Sequence, residues 1–130
     1  MHELLRVNAK AASASASAVA RGGLAGWQRK RVTEYILEHL TEDVSLGQLA
    51  ALAELSPYHF SRAFKQSFGQ PPLRYHAHRR MEFAKSLLAK PALSVTQIGQ
   101  EVGFSETSAF TAAFRRFAGT TPTGFRRAGQ

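Results

Sequence analysis

The chain has 130 residues, 44% of them hydrophobic, and a net charge of +8, which fits one folded, basic domain. It contains no Cys and a single Asp, so disulfides, thiolate metal sites and cysteine nucleophiles are excluded, and paired-carboxylate chemistry is not expected. No signal peptide and no apolar run of roughly 20 residues is present, so we expect a cytoplasmic protein without a membrane partner, whose basic surface binds an anion such as nucleic acid.

Residues 1–26 differ in composition from the rest of the chain. Residues 11–20 read AASASASAVA, and a Gly-rich stretch follows as far as Gly26. A short Ala-rich helix is marginal in water, and glycine ends helices. We therefore interpret residues 1–26 as a flexible tail or linker and expect the folded domain over 27–127.

Apolar residues recur at helical spacing from Trp27 onward, and no stretch alternates as a strand would, so the domain is predicted to be all-α. The first helix is expected over 27–40. Ser45 is a suitable N-cap for a short second helix. Ser56 and Pro57 open a third helix, which Gly69 ends, and a longer linking helix is expected over about 73–88. Three phenylalanines at spacing four are expected to face the core from the third helix: Phe60, Phe64 and Phe68.

The pattern then repeats. Residues 45–50 resemble 94–99 at an offset of 49, and 60–65 resemble 110–115 at an offset of 50. The change of offset indicates one extra residue near Glu106. The chain therefore contains an internal duplication, with two related helical modules at about 45–68 and 95–118.

Each copy reads as a helix-turn-helix, with a short helix, a brief turn and a second helix. A small residue, Ala50 or Gly99, stands where the two helices cross closely. Gly103 suits a turn residue with positive φ. Glu54 at the matching position would be strained by about 1 to 2 kcal/mol in the same conformation, so the first turn either carries that strain or differs. A linking helix of about 16 residues spans roughly 24 Å, which would let the second helices of the two modules reach successive major grooves.

These residues resemble the DNA-binding domain of the AraC/XylS family of bacterial transcription regulators. The resemblance covers about 27–127 and is most specific at 55–65, at 98–105 and at 110–122. It implies about seven helices, two tandem helix-turn-helix subdomains, sequence-specific binding to double-stranded promoter DNA and contact with RNA polymerase. It also implies that residues 1–26 are a remnant of a connection to a separate sensor domain.

Candidate DNA contacts follow from the helix faces. If the phenylalanines point inward, Arg62 lies on the opposite face of the first recognition helix, where its guanidinium can donate two hydrogen bonds to guanine. The second recognition helix has Ala112 at the matching position, so we expect looser base reading there. The predicted base contacts are Tyr58, Ser61, Arg62, Thr107, Ser108, Thr111 and Ala112.

Basic side chains and helix N-termini near these faces are expected to hold phosphates. Residues 56–90 contain seven basic residues and one acidic residue, a local charge of +6. The predicted phosphate contacts are Lys65, Arg79, Arg80, Arg115, Arg116 and Thr123, with Arg126 and Arg127 also available.

The sequence is also compatible with another function. A basic helical module docking on an acidic protein partner is the main alternative. His59, His76 and His78 come closest to a cluster, but His76 and His78, two residues apart, do not share a helix face, so neither a metal nor another cofactor is expected. A DNA-repair branch related to the family uses cysteine, which this chain lacks, so we expect no enzyme activity. A chain of this length also leaves no domain for a small-molecule ligand.

Overall fold

Residues 22–129 are described by the computed structural model of the protein, and their regular structure is helical throughout. This confirms the all-α prediction. None of the described helices is long and apolar enough to cross a membrane. The prediction for residues 1–21 lies outside the described residues. The helices of the described part of the chain are α1 (Gly26–Glu38), α2 (Leu46–Leu52), α3 (Pro57–Phe68), α4 (Pro72–Leu88), α5 (Val95–Glu101), α6 (Thr107–Ala118) and α7 (Pro122–Ala128).

The chain divides into two units. Unit 1 comprises residues 22–38 and Val44–Tyr75, which hold α1, α2, α3 and the first residues of α4. Unit 2 comprises His39–Asp43 and residues 76–129, which hold the loop after α1, the rest of α4, and α5 to α7. Each unit contains one helix-turn-helix, formed by α2 and α3 in unit 1 and by α5 and α6 in unit 2.

The first helix of each helix-turn-helix begins with the same capping box. In α2 the Ser45 hydroxyl accepts the Gln48 N–H at 3.1 Å, and the Gln48 side chain accepts the Ser45 N–H at 2.9 Å. Ser94 and Gln97 repeat both bonds at 3.1 and 2.8 Å. Two amides that the helix leaves without intrahelical partners are thereby paired, so local sequence sets both starting points.

The recognition helices α3 and α6 have 12 residues each and end in the same way. Gly69 and Gly119 follow them with φ of 78° and 79°, a left-handed conformation that glycine adopts without steric cost. Pro72 and Pro122 are the first residues of the helices that follow. At this position the N–H that proline lacks would have no intrahelical partner, so its absence costs nothing. The duplication therefore extends past the recognition helices.

The core of each unit is built on phenylalanines of the recognition helix. Phe60 and Phe64 in unit 1, like Phe110 and Phe114 in unit 2, are fully buried. Each buried phenylalanine contributes about 1.5 to 3 kcal/mol relative to an exposed one. Phe68, also predicted to face the core, is half-buried and stacks on Phe64 with ring centroids 4.4 Å apart.

The two turns contain matching backbone hydrogen bonds but differ in length. Leu55 N–H donates to the Ala50 carbonyl at 3.1 Å, and Phe104 N–H donates to the Gly99 carbonyl at 2.9 Å. The turn between α5 and α6 is one residue longer than the turn between α2 and α3, which places the extra residue of the second copy before α6.

The conformation of Glu54 decides between the two alternatives for the first turn. Its φ is +58°, and Gly103 at the matching position has φ of +104°. Both turns therefore use positive φ at this point, so of the two alternatives left open by the sequence the first turn carries the strain. The strain at Glu54 is accompanied by an ion pair with Arg31, whose Nη1 lies 3.7 Å from the carboxylate.

The folded chain begins before the predicted boundary at residue 27. Leu24 and Ala25 are buried, and Leu24 N–H donates to the Ser67 hydroxyl at 2.7 Å. The Gln28 side chain accepts the Ala25 N–H at 2.8 Å and donates to the Ala53 carbonyl at 2.9 Å. A single buried amide thus joins the start of α1 to the end of α2.

Candidate nucleic-acid interface

One face of α3 presents the predicted base contacts together. Tyr58, Ser61, Arg62 and Lys65 follow the spacing that places side chains on a common helix face. Tyr58 is 66% exposed, Arg62 and Lys65 are exposed, and Ser61 is half-buried. A helix of 12 residues is about 18 Å long, and the major groove of B-DNA admits one helix.

Arg62 contacts Tyr58 on this face. Its Nη1 donates to the Tyr58 hydroxyl at 3.1 Å, and its guanidinium carbon lies 5.7 Å from the centre of the Tyr58 ring. Within residues 22–129 no carboxylate pairs with Arg62. Its charge is therefore available to an anionic partner.

Two further side chains of α3 were not proposed as DNA contacts from the sequence. His59 and Gln66 are exposed and line a groove of about 400 Å³ together with Tyr58 and Arg62. The Nδ1 atom of His59 lies 2.7 Å from the Ser56 hydroxyl, which fixes the ring at the start of the helix. His59, Arg62 and Gln66 are spaced by three and four residues, so the sequence alone could have placed them on one helix face.

The matching face of α6 is polar but carries shorter side chains. Thr107, Ser108 and Ala112 are exposed, and Thr111 is half-buried, as is Ser61 at the equivalent position of α3. The Thr107 hydroxyl donates to the Thr96 hydroxyl at 3.4 Å. This face offers hydroxyl and methyl groups at the positions where α3 has Tyr58 and Arg62.

Most of the predicted phosphate contacts have side chains open to solvent. Lys65, Arg79, Arg115 and Arg116 are exposed, and none forms an ion pair in the part of the chain that the structure describes. Thr123 is also exposed, but the Thr121 hydroxyl already accepts the Gly124 N–H at 3.0 Å in this turn of α7.

Arg80 corrects the prediction of a phosphate contact. The residue is only 7% exposed, and its Nε and Nη2 donate to the carbonyls of Leu40 and Glu42 at 3.1 and 2.7 Å. Asp43 lies 3.6 Å from the same guanidinium. Arg80 therefore holds the 39–43 loop within unit 2 and cannot reach a phosphate, so the prediction for this residue is wrong.

Arg126 has a similar structural role. Its Nε donates to the Leu88 carbonyl at 3.1 Å, and its Nη2 donates to the Lys90 carbonyl at 3.0 Å. These bonds tie α7 to the end of α4 within unit 2. Arg127, the next residue, is exposed and remains available to an anion.

His76 is buried beside Arg80 in unit 2. Burial lowers the pKa of His76 below its usual 6.5, and the charge of Arg80 lowers it further. Backbone hydrogen bonds with His39 and Leu40 and the Asp43 carboxylate oppose this shift. The Nε2 atom is buried without a hydrogen-bond partner. Among the described residues no group of three His, Asp or Glu side chains is placed to hold a metal ion.

Sequence comparison supports this description of the fold. A family profile described as a helix-turn-helix domain matches residues 49–128. The probable transcriptional regulator LumQ of Photobacterium leiognathi is 35% identical over 95 residues, which are 73% of this chain and 38% of that protein. The chain spans well under half the length of the curated relatives it matches first.

Solved structures show the same fold. The DNA-binding domain of AdpA, a global transcriptional factor solved in complex with a target DNA, is similar with a TM-score of 0.68 and 34% identity, covering 75% of this chain and 87% of that one. A Chromobacterium violaceum regulator described as AraC-type has a TM-score of 0.70 and 26% identity, covering 78% of this chain and 91% of that one. The resemblance drawn from the sequence is confirmed, and the chain belongs to the AraC-type helix-turn-helix family.

Proposed function

We propose that the chain binds double-stranded DNA sequence-specifically as a transcription regulator, with α3 and α6 each entering a major groove. The exposed face of α3 supports this most strongly, because it presents Arg62 and Lys65 without carboxylate partners among residues 22–129. An α-helix that displays such side chains can contact both base edges and phosphates. The similarity to the AdpA domain, which was solved with its target DNA, favours the same function.

The two units would contribute differently to DNA recognition. In unit 1, Arg62 can donate two hydrogen bonds to one guanine, the commonest specific contact in the major groove. In unit 2, Ala112 offers one methyl group, which can contact only an apolar edge such as a thymine methyl. We therefore expect unit 1 to choose the sequence and unit 2 to contribute mainly orientation, through Arg115 and Arg116 on phosphates.

We further propose that the bound chain acts near promoters, where it contacts RNA polymerase. The polymerase contact rests on family membership. Because bacterial DNA lies in the cytoplasm, that is the compartment in which a regulator of this kind works. We assign the chain no catalytic role.

Selection of bound sites from random double-stranded DNA tests the proposal. We expect one strongly specified half-site and a second, weaker half-site about 10 base pairs away, one turn of B-DNA. Mobility shifts on the selected site, with excess nonspecific competitor and at several salt concentrations, measure the preference directly.

The same experiments can refute the proposal. Selection that enriches no sequence, or affinities that are equal for selected and scrambled DNA, would contradict sequence-specific binding. Recovery of a protein partner after nuclease treatment, without DNA affinity, would favour an acidic protein as the partner.

A further inference from the structure

We propose that Tyr58 is a positioning residue for Arg62. The Tyr58 hydroxyl and ring hold the Arg62 guanidinium in the orientation that contacts a DNA base. Tyr58 itself does not contact a base and does not determine the preferred sequence. The inference rests on the proposed function and deepens it, because it names what makes unit 1 the selective one.

The contact between the two side chains is the first step. Tyr58 and Arg62 are four residues apart, so they stand one above the other on the outer face of α3. The Arg62 Nη1 lies 3.1 Å from the Tyr58 hydroxyl, and the guanidinium carbon lies 5.7 Å from the ring centre. Because no carboxylate within residues 22–129 pairs with Arg62, Tyr58 is the neighbour that sets its orientation.

The contact leaves the base-reading donors of Arg62 free. A guanidinium carries five N–H donors, and the Tyr58 hydroxyl accepts one of them, on Nη1. The Nε and Nη2 groups remain, and they form a planar fork that matches the O6 and N7 acceptors of guanine. The two interactions are therefore compatible on one side chain.

Holding the side chain favours the specific contact over the nonspecific one. An unrestrained arginine at a helix surface can turn to a phosphate as readily as to a base, and it loses rotamer freedom on binding. An arginine already held by a ring and a hydroxyl loses less of that freedom. The pair therefore increases discrimination at the base that Arg62 contacts.

The second unit lacks both members of the pair. Ser108 and Ala112 stand at the positions of α6 that match Tyr58 and Arg62, while the rest of the helix keeps the same length and the same buried phenylalanines. The helix-turn-helix therefore folds without the pair, which belongs to the DNA-facing surface of unit 1.

A double-mutant cycle on the selected site tests the proposal. Binding of the wild type, Tyr58→Phe, Arg62→Ala and the double variant is measured on the preferred site and on sites changed at each base pair. We expect Tyr58→Phe to reduce discrimination about three- to tenfold, the effect of one hydrogen bond, and only at the base pair that Arg62→Ala identifies. The double variant should then equal Arg62→Ala. Tyr35→Phe, which removes a hydroxyl from α1, is the matched control and should keep full discrimination.

Other outcomes separate this inference from the proposed function. If Tyr58→Phe alters preference at a different base pair, or if its effect persists in the Arg62→Ala background, Tyr58 reads a base itself and the inference fails. If the wild type discriminates and Tyr58→Phe is indistinguishable from it, the inference alone fails. A wild type without any preference overturns the proposed function and the inference together.

Discussion

Arg79 and Arg80 are neighbours on α4, but their guanidinium groups have different surroundings. Arg79 is exposed without an ion pair among the described residues, whereas Arg80 donates to the carbonyls of Leu40 and Glu42. The partners of a basic residue therefore decide whether it holds the fold together or stays available to an anion. Its position in a basic cluster does not decide between these roles.

Replacing each of these arginines should separate the two roles. Arg80→Met leaves two carbonyls without their donor, and we expect it to lower the free energy of unfolding by about 2 to 4 kcal/mol. Arg79→Met should change stability by less than about 0.5 kcal/mol and should lower the salt dependence of DNA binding by about one phosphate contact. Urea unfolding and mobility shifts measure the two effects. Equal stability of the two variants would contradict the role given to Arg80.

His76 should make stability depend on pH. Its pKa is lowered in the folded state, so the unfolded chain takes up the proton first as the pH falls below 6.5. The stability that this group contributes is complete above pH 6.5 and decreases as the pH falls toward its lower, folded-state pKa.

His76→Gln, which cannot titrate, isolates this contribution. Between about pH 7.5 and about pH 5.5 we expect the melting temperature of the wild type to fall more than that of the variant. Circular dichroism melts across this range are the measurement. The other histidines and the carboxylates are shared by both proteins, so a parallel decline in the two would show that His76 does not contribute.

The sequence predicted part of the candidate site because helix faces follow from spacing. Tyr58, Arg62 and Lys65 share the exposed side of α3 as expected, and Phe60 and Phe64 share the buried side. Arg80 and Gln28 were not anticipated, because their partners are backbone groups up to 40 residues away along the chain. Backbone carbonyls are present at every residue, so the sequence gives no sign that they bind a buried arginine. A buried arginine of this kind cannot be distinguished from an exposed one by sequence.

At the scale of helices and turns, local signals set most boundaries. Capping boxes begin α2 and α5, and left-handed glycines end α3 and α6, so these limits could be predicted closely. The start of α1 could not, because the burial of Leu24 and Ala25 depends on packing and on the bond from Leu24 to Ser67. Composition alone assigned those residues to the tail.

The two turns should respond oppositely to substitution at matched positions. Gly103 has a φ of +104°, and a Cβ at this position would clash with the Thr41 carbonyl oxygen. We therefore expect Gly103→Ala to destabilise the protein by about 2 kcal/mol or more. Glu54→Gly relieves a left-handed φ and loses only an exposed ion pair, so a gain of about 0.5 kcal/mol is expected. Denaturant unfolding of both variants measures the difference. A loss at both positions would contradict the strain assigned to Glu54.

For the whole molecule, the net charge of +8 is unevenly distributed along the chain. Residues 56–90 carry +6 of it, and they include α3 with Arg62. Arg80, one of the contributors, is buried and lies 3.6 Å from the Asp43 carboxylate, so it adds less to the surface field than its formal charge. The excess positive charge therefore lies mainly in the first recognition helix and the linking helix, and the proposed choice of sequence falls in the same part of the chain.

Transferring the Tyr–Arg pair should make the second half-site selective. Ala112→Arg alone adds a mobile cation, so we expect tighter binding with little new preference. With Ser108→Tyr added, a preferred base pair should emerge in the weak half-site, with discrimination of about tenfold. Site selection on both variants is the measurement. Identical selected sites for the single and the double variant would contradict the expectation.

The extra residue in the second copy lies in the turn before α6, and its location matters for how the copies diverge. One residue inserted within α6 would rotate the rest of that helix by about 100° and turn its outer face toward the core. Placed in the turn, the insertion leaves Phe110 and Phe114 buried like their counterparts in α3. Evolution can therefore alter the length of the turn and the outward side chains of one copy while the packing of both copies is preserved, so each copy can acquire its own DNA preference.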